Sequence, residues 1–121
     1  NMPDTYRDFR EAGMTHDYTM GYHDEPGFRA GIARPFPFYD LATERATTLT
    51  VVPFQVMDVT LRQYLHLQPE AALEVVRTLI AATRNAGGLF VSIWHNTSLN
   101  EGNGWEGWRH VFEEMLFMQK V

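Results

Sequence analysis

At 121 residues with 45% hydrophobic side chains, the chain has the length and composition of one globular domain, not of a disordered segment. Its net charge of -5 argues against a general nucleic-acid binder, which needs a basic face, and no apolar run approaches the roughly 18 residues of a membrane-spanning helix. With Cys 0 there is no disulfide framework, no thiolate metal site and no thiol nucleophile.

No repeat, low-complexity tract or linker divides the chain. Pro3 to Ala12 predicts a short helix, because proline suits a first helical position, Tyr6 and Phe9 stand one turn apart and Gly13 is a stop. Tyr18 to Tyr22, aromatic and β-branched, predicts a short strand. From His23 to Ala46, the residues Pro26, Gly27, Gly31, Pro35 and Pro37 argue against any long regular element. Phe28, Phe36, Phe38 and Tyr39 within it predict a packed loop.

Leu49 to Met57 predicts a buried strand, with Pro53 marking an edge or a bulge because it removes a ladder donor. Pro69 to Ala86 predicts a helix whose stripe is Ala72, Leu73, Val76, Leu79 and Ile80, ended by Gly87 and Gly88. Leu89 to Trp94 is near-continuously apolar, the pattern of a parallel strand covered on both faces. After a loop from Asn96 to Gly104, a last helix is predicted from Trp105 to Met118, with Trp108, Val111, Phe112, Met115 and Leu116 facing inward. This alternation predicts α/β architecture with parallel strands. Three such strands leave open sheet edges, so the set reads as a partial (β/α) barrel and not a whole one.

In parallel α/β folds the functional groups gather where strands end at their C-terminal side. The residues that follow the three strands are His23, Asp24, Glu25 and then Arg29; Asp58; and His95 with Asn96. A carboxylate, an arginine and a histidine on one face make a general acid–base set. Each has an alternative reading. His95 serves equally as a structural histidine, Asp58 as a helix N-cap before Val59, and Arg29 as a staple to Asp24 or Glu25. His16, Asp17, His23 and Asp24 match no metal-ligand spacing. Trp94, Trp105 and Trp108 suit a core as well as a sugar-stacking platform, and Gly102-Asn-Gly-Trp is a turn, not a phosphate loop.

These residues together resemble a known family. Gly27-Phe-Arg-Ala-Gly31 resembles the Gly-Phe-Arg-Ala-Pro stretch that is the third motif of the polysaccharide deacetylases of carbohydrate esterase family 4. Ser92-Ile-Trp-His95 is similar to their fifth motif, a hydrophobic strand ending in Leu-x-His, and Asp58 stands where their fourth motif places an acidic residue. Asp17-Tyr-Thr-Met-Gly, Arg34-Pro-Phe-Pro-Phe-Tyr-Asp40, Pro53-Phe-Gln-Val-Met-Asp58 and Ile93-Trp-His-Asn96 extend the likeness, to a bacterial deacetylase-like subgroup, over nearly the whole chain.

The resemblance implies a distorted (β/α) barrel that removes acetyl groups from sugars with one divalent metal, such as zinc. It implies His95 as general acid, Asp58 as the group that tunes it, and Arg29 as the holder of a catalytic-base aspartate. It also implies Ile93, Trp94 and Tyr39 as substrate-binding residues. The first and second motifs, which carry the base and the metal ligands, have no counterpart here, so the resemblance places them upstream of Asn1. Gly31 replaces the usual proline, and Arg34 competes for the role of Arg29. The expectation is therefore the C-terminal half of a deacetylase-like barrel, inactive alone and without a metal of its own. It would be paired as a homodimer or with the missing half. The rival expectations are a non-catalytic sugar-binding or scaffold domain that kept the fold, and a complete small α/β domain that acts through a partner.

Overall fold

A computed structural model describes residues 1–120 of the chain. Helix α1 (Asp4–Glu11) follows Pro3 and leads to a short strand, β1 (His16–Asp17). Next come β2 (Phe36–Asp40), β3 (Arg45–Val51) and β4 (Val56–Met57). A π-helical turn, Thr60–Tyr64, precedes the longest helix, α2 (Pro69–Asn85). Strand β5 (Ser92–Ile93), a 3-10 turn at Asn96–Leu99 and helix α3 (Trp108–Met118) complete the order.

The strands make two small sheets. In one, of order β1-β3-β2, β1 lies parallel to β3 and β2 antiparallel to it; in the other, β4 and β5 are parallel. The expected all-parallel arrangement is thus corrected to a mixed one, and the sheets carry no feature specific to a deacetylase barrel.

The antiparallel member comes from the segment expected to be loop. Pro37 is accommodated because β2 is an edge strand, where a missing N–H costs no ladder bond. The turn that returns the chain to β3 is built by a side chain and not by glycine or proline. The Asp40 carboxylate accepts the Ala42 N–H at 3.0 Å, and its carbonyl accepts the Thr43 N–H at 3.2 Å.

The strand expected over Leu49 to Met57 is divided at Val52–Gln55, and the one expected at Tyr18 to Tyr22 is absent, a two-residue strand, His16–Asp17, standing just before it. Both changes have one cause. Pro53 cannot donate, so only alternate amides continue the pairing: Val52 N–H to the Asp17 carbonyl at 2.7 Å and Phe54 N–H to the Met20 carbonyl at 3.0 Å. Gly21 then lies directly against the Phe54 ring, where a Cβ would collide with it.

Gln55 closes the gap left by the proline. Its backbone amide donates to the Val91 carbonyl at 2.9 Å, its Oε1 accepts the Val91 N–H at 2.7 Å, and its Nε2 donates to the Pro53 carbonyl at 3.2 Å. A glutamine in an otherwise apolar run therefore serves as a piece of artificial ladder, joining β4 to the approach of β5.

The larger core cluster joins Val56 and Leu61 to Ala72, Val76, Leu79 and Ile80 of α2 and to Trp108, Val111 and Met115 of α3. The apolar stripe of α2 is buried as its 3.6-residue period requires. Trp105 precedes α3 yet is buried against Trp108, ring centroids 5.5 Å apart. Leu116, expected inside, is exposed. A smaller cluster of Tyr6, Phe38, Leu49 and Val51 holds α1 on the three-stranded sheet. Among the described residues no helix is long and apolar enough to cross a membrane.

Candidate active site

Strands β4 and β5 are parallel with Met57 opposite Ile93, so the chain leaves both at the same end. Asp58 follows Met57 directly, and His95 lies two residues beyond Ile93. That register puts an acidic and an imidazole side chain side by side. The Asp58 carboxylate is fully buried, whereas the His95 side chain is 51% exposed.

Three hydrogen bonds converge on this carboxylate. Oδ1 accepts the Val59 N–H at 2.7 Å, Oδ2 accepts the His95 backbone N–H at 2.7 Å, and Oδ1 lies 2.7 Å from His95 Nδ1. An ionised carboxylate only accepts, so Nδ1 carries the proton in this contact. The ring's Nε2 is then the atom left for a second proton-transfer partner. A buried charge is tolerable here because its oxygens are met by donors. Asp58 does not make the N-cap bond to a second or third helical amide; its contacts go to the adjacent amide and across to His95, just beyond β5.

Two further buried residues, not anticipated from the sequence, tie down the segments beside the pair. Buried Ser98, in the 3-10 turn, donates its Oγ to the His95 carbonyl at 2.7 Å and its N–H to the same oxygen at 3.1 Å. Buried Thr60, two residues after Asp58, donates its hydroxyl to the His23 carbonyl at 2.6 Å. The His23 ring in turn meets Tyr64 edge-on at 5.4 Å. The segment after β1 is thereby tied to the turn after β4. The only sequence signal for Ser98 and Thr60 was a small hydroxyl residue soon after each site residue, a pattern too common to single them out.

Arg29 is not brought to the pair. Its Nη1 donates to the Gly21 carbonyl at 3.1 Å and its guanidinium lies 6.0 Å from the Tyr22 ring centroid. Among the described residues it forms no ion pair with Asp24 or Glu25. Its charge acts instead on the buried Tyr6 phenol. Burial and then the nearby Asp17 carboxylate push that phenol up to about 12, and Arg29 opposes the shift. Arg34 is farther afield, reaching the Ala86 carbonyl at the end of α2 at 3.4 Å.

Ile93 is half-buried within β5. Trp94 turns toward the core, its ring edge-on to Phe112 at 5.3 Å and its Nε1 buried without an acceptor. Tyr39 is half-exposed on edge strand β2, in the other sheet.

Among the described residues no group of three or more His, Asp or Glu side chains could hold a metal ion. Asp17 is occupied by Thr19, whose hydroxyl it accepts at 2.7 Å. The His16 ring Nδ1 lies 3.0 Å from the neighbouring Thr15 hydroxyl. No family model, curated protein or solved structure matches this chain.

Proposed function

We propose that the chain is part of a carbohydrate deacetylase-like hydrolase acting on acetylated sugars, with His95 as its general acid. The observation that carries this reading is the buried Asp58 held 2.7 Å from Nδ1 of a half-exposed histidine, at the shared end of two parallel strands. A carboxylate so placed selects the tautomer and steadies the imidazolium, leaving Nε2 to protonate the departing amine or alcohol. The ordered likeness of Gly27–Gly31, Asp58 and Ser92–His95 to deacetylase motifs supports the same reading.

In such enzymes a divalent metal such as zinc polarises the acetyl carbonyl and activates water. Among the described residues no set of side chains assembles a site for it. In this proposal the metal ligands and the base lie outside the chain, which is inactive alone. It meets the missing part of the barrel or a second copy. Arg29 holding that external base, and Ile93 and Tyr39 lining the sugar site, belong to the same proposal. Trp94 supports the end of β5 from the core side.

The test is a titration of the isotope-labelled chain with acetylated chito-oligosaccharides, read at the resonances of His95 and its neighbours, beside an assay for released acetate. The expected result is perturbation centred on His95 and lost in His95→Ala, with no acetate released. Sugar binding that leaves His95 unperturbed would favour the non-catalytic sugar-binding alternative. Turnover abolished by a chelator and restored by zinc would overturn the placement of the metal ligands outside the chain.

A further inference from the structure

A separate cleft of about 590 Å3 is lined by Arg62, Gln63, His66, Gln68, Glu106 and Trp108. Its volume is that of a small-ligand site, which spans roughly 300–1,000 Å3. Arg62 is built into one wall. Its guanidinium carbon sits 4.5 Å from the centroid of the Trp105 ring, and Nε donates to the Gly104 carbonyl at 2.7 Å. Trp105 is itself buried, so the guanidinium lies on a packed indole. Gly104, at φ +88, approaches so closely that a Cβ there would strike Nη2. The loop before α3 is shaped around this one side chain.

Among the described residues, Arg62 hydrogen-bonds through Nε alone. No carboxylate among the described residues lies within ion-pair distance of it, and its terminal nitrogens make no hydrogen bond there. An arginine laid on an indole and tethered at Nε, with its terminal nitrogens unbonded, has already given up part of the side-chain freedom that binding usually costs. That fork matches the two oxygens of a planar carboxylate. Gln63, Gln68 and His66 add side-chain donors and acceptors suited to hydroxyl groups. Glu106 also faces the cleft, and its charge repels a doubly charged phosphate more than a singly charged carboxylate.

We propose that this cleft binds a carboxylate-bearing polyol, of the size and polarity of a sugar acid, with Arg62 Nη1 and Nη2 gripping its carboxylate. The proposal is independent of the Asp58–His95 reading, and its test measures binding alone. The intact chain is titrated with galacturonate, with the methyl ester of galacturonate and with inorganic phosphate, following the indole N–H resonances of Trp105 and Trp108.

The expected result is a saturable response to galacturonate and none to the uncharged ester at the same concentration. Arg62→Gln and Arg62→Lys should weaken binding by about tenfold or more, the loss expected of a charged bidentate contact. Glu106→Gln, on the exposed side of the cleft, should tighten binding and serves as the variant that leaves the fold intact. The absence of any saturable response would overturn the proposal. So would equal binding of acid and ester, tighter binding of phosphate than of galacturonate, or affinities unchanged in both Arg62→Gln and Glu106→Gln.

Discussion

Asp58 holds His95 at two points, the backbone N–H through Oδ2 and the imidazole Nδ1 through Oδ1, each at 2.7 Å. One buried carboxylate therefore sets both where β5 ends and how the ring is turned. Replacing it by asparagine puts an amide donor where an acceptor is required, leaving a buried donor unpaired. Asp58→Asn should cost about 2–3 kcal/mol of stability. His95→Ala, which removes a half-exposed ring, should cost below about 1 kcal/mol. Denaturant unfolding of the two variants checks the order, and equal losses would remove the case for Asp58 as the organiser.

The Gln55 side chain carries two ladder contacts that no aliphatic residue can replace. Gln55→Leu fills a similar volume but strands the Val91 N–H and the Pro53 carbonyl in the interior. The expected loss is about 2–4 kcal/mol, with hydrogen exchange of the β5 amides quickened before the rest of the chain. A neutral substitution would show that water or a shifted strand satisfies both groups.

Arg7 links α1 to the turn after β2 through the buried Asp40, Nη2 to Oδ1 at 2.9 Å. The hydrogen bond from Arg7 holds the Asp40 carboxyl below its ordinary value. A depressed folded value means that the linkage stabilises the protein above the unfolded carboxyl value of about 3.9 and that this contribution is lost as pH falls through the folded one. Thermal melts across the acid range should show wild type losing its advantage over Arg7→Gln as the pH drops. Parallel profiles for the two proteins would exclude the linkage.

The Tyr6 phenol gives the opposite sign at the other end of the scale. Its value is raised to about 12 by burial and then by Asp17, and its hydroxyl is buried without a hydrogen-bond partner. A raised folded value stabilises the protein fully below the unfolded phenol value of about 10, and the contribution is lost as pH rises through about 12. Tyr6→Phe should change stability at neutral pH by less than about 1 kcal/mol, because no satisfied bond is broken. It should also delete the last-titrating component of the phenolate absorbance. An unaltered alkaline titration would reject this assignment.

Local and periodic features are legible in the sequence. The α2 stripe of Ala72, Val76, Leu79 and Ile80 and the stop at Gly87 show in a window of neighbouring residues, because helical burial repeats within the chain itself. Asp58 and His95 stood out as polar residues closing apolar runs, and the parallel register of β4 and β5 places them at one end.

What the window could not contain was decided by partners distant in sequence. The β2–β3 hairpin forms in a proline-rich stretch because an edge position forgives Pro37 and Asp40 builds the turn. Arg29 bonds the Gly21 carbonyl, eight residues back, instead of an acidic neighbour, and Gln55 completes a ladder with Val91, thirty-six residues on. Composition and spacing determined which segments must hide their apolar faces. The placement of each hydrogen-bonding side chain followed only from tertiary structure, because a buried donor or acceptor takes whichever partner the closed chain brings within reach.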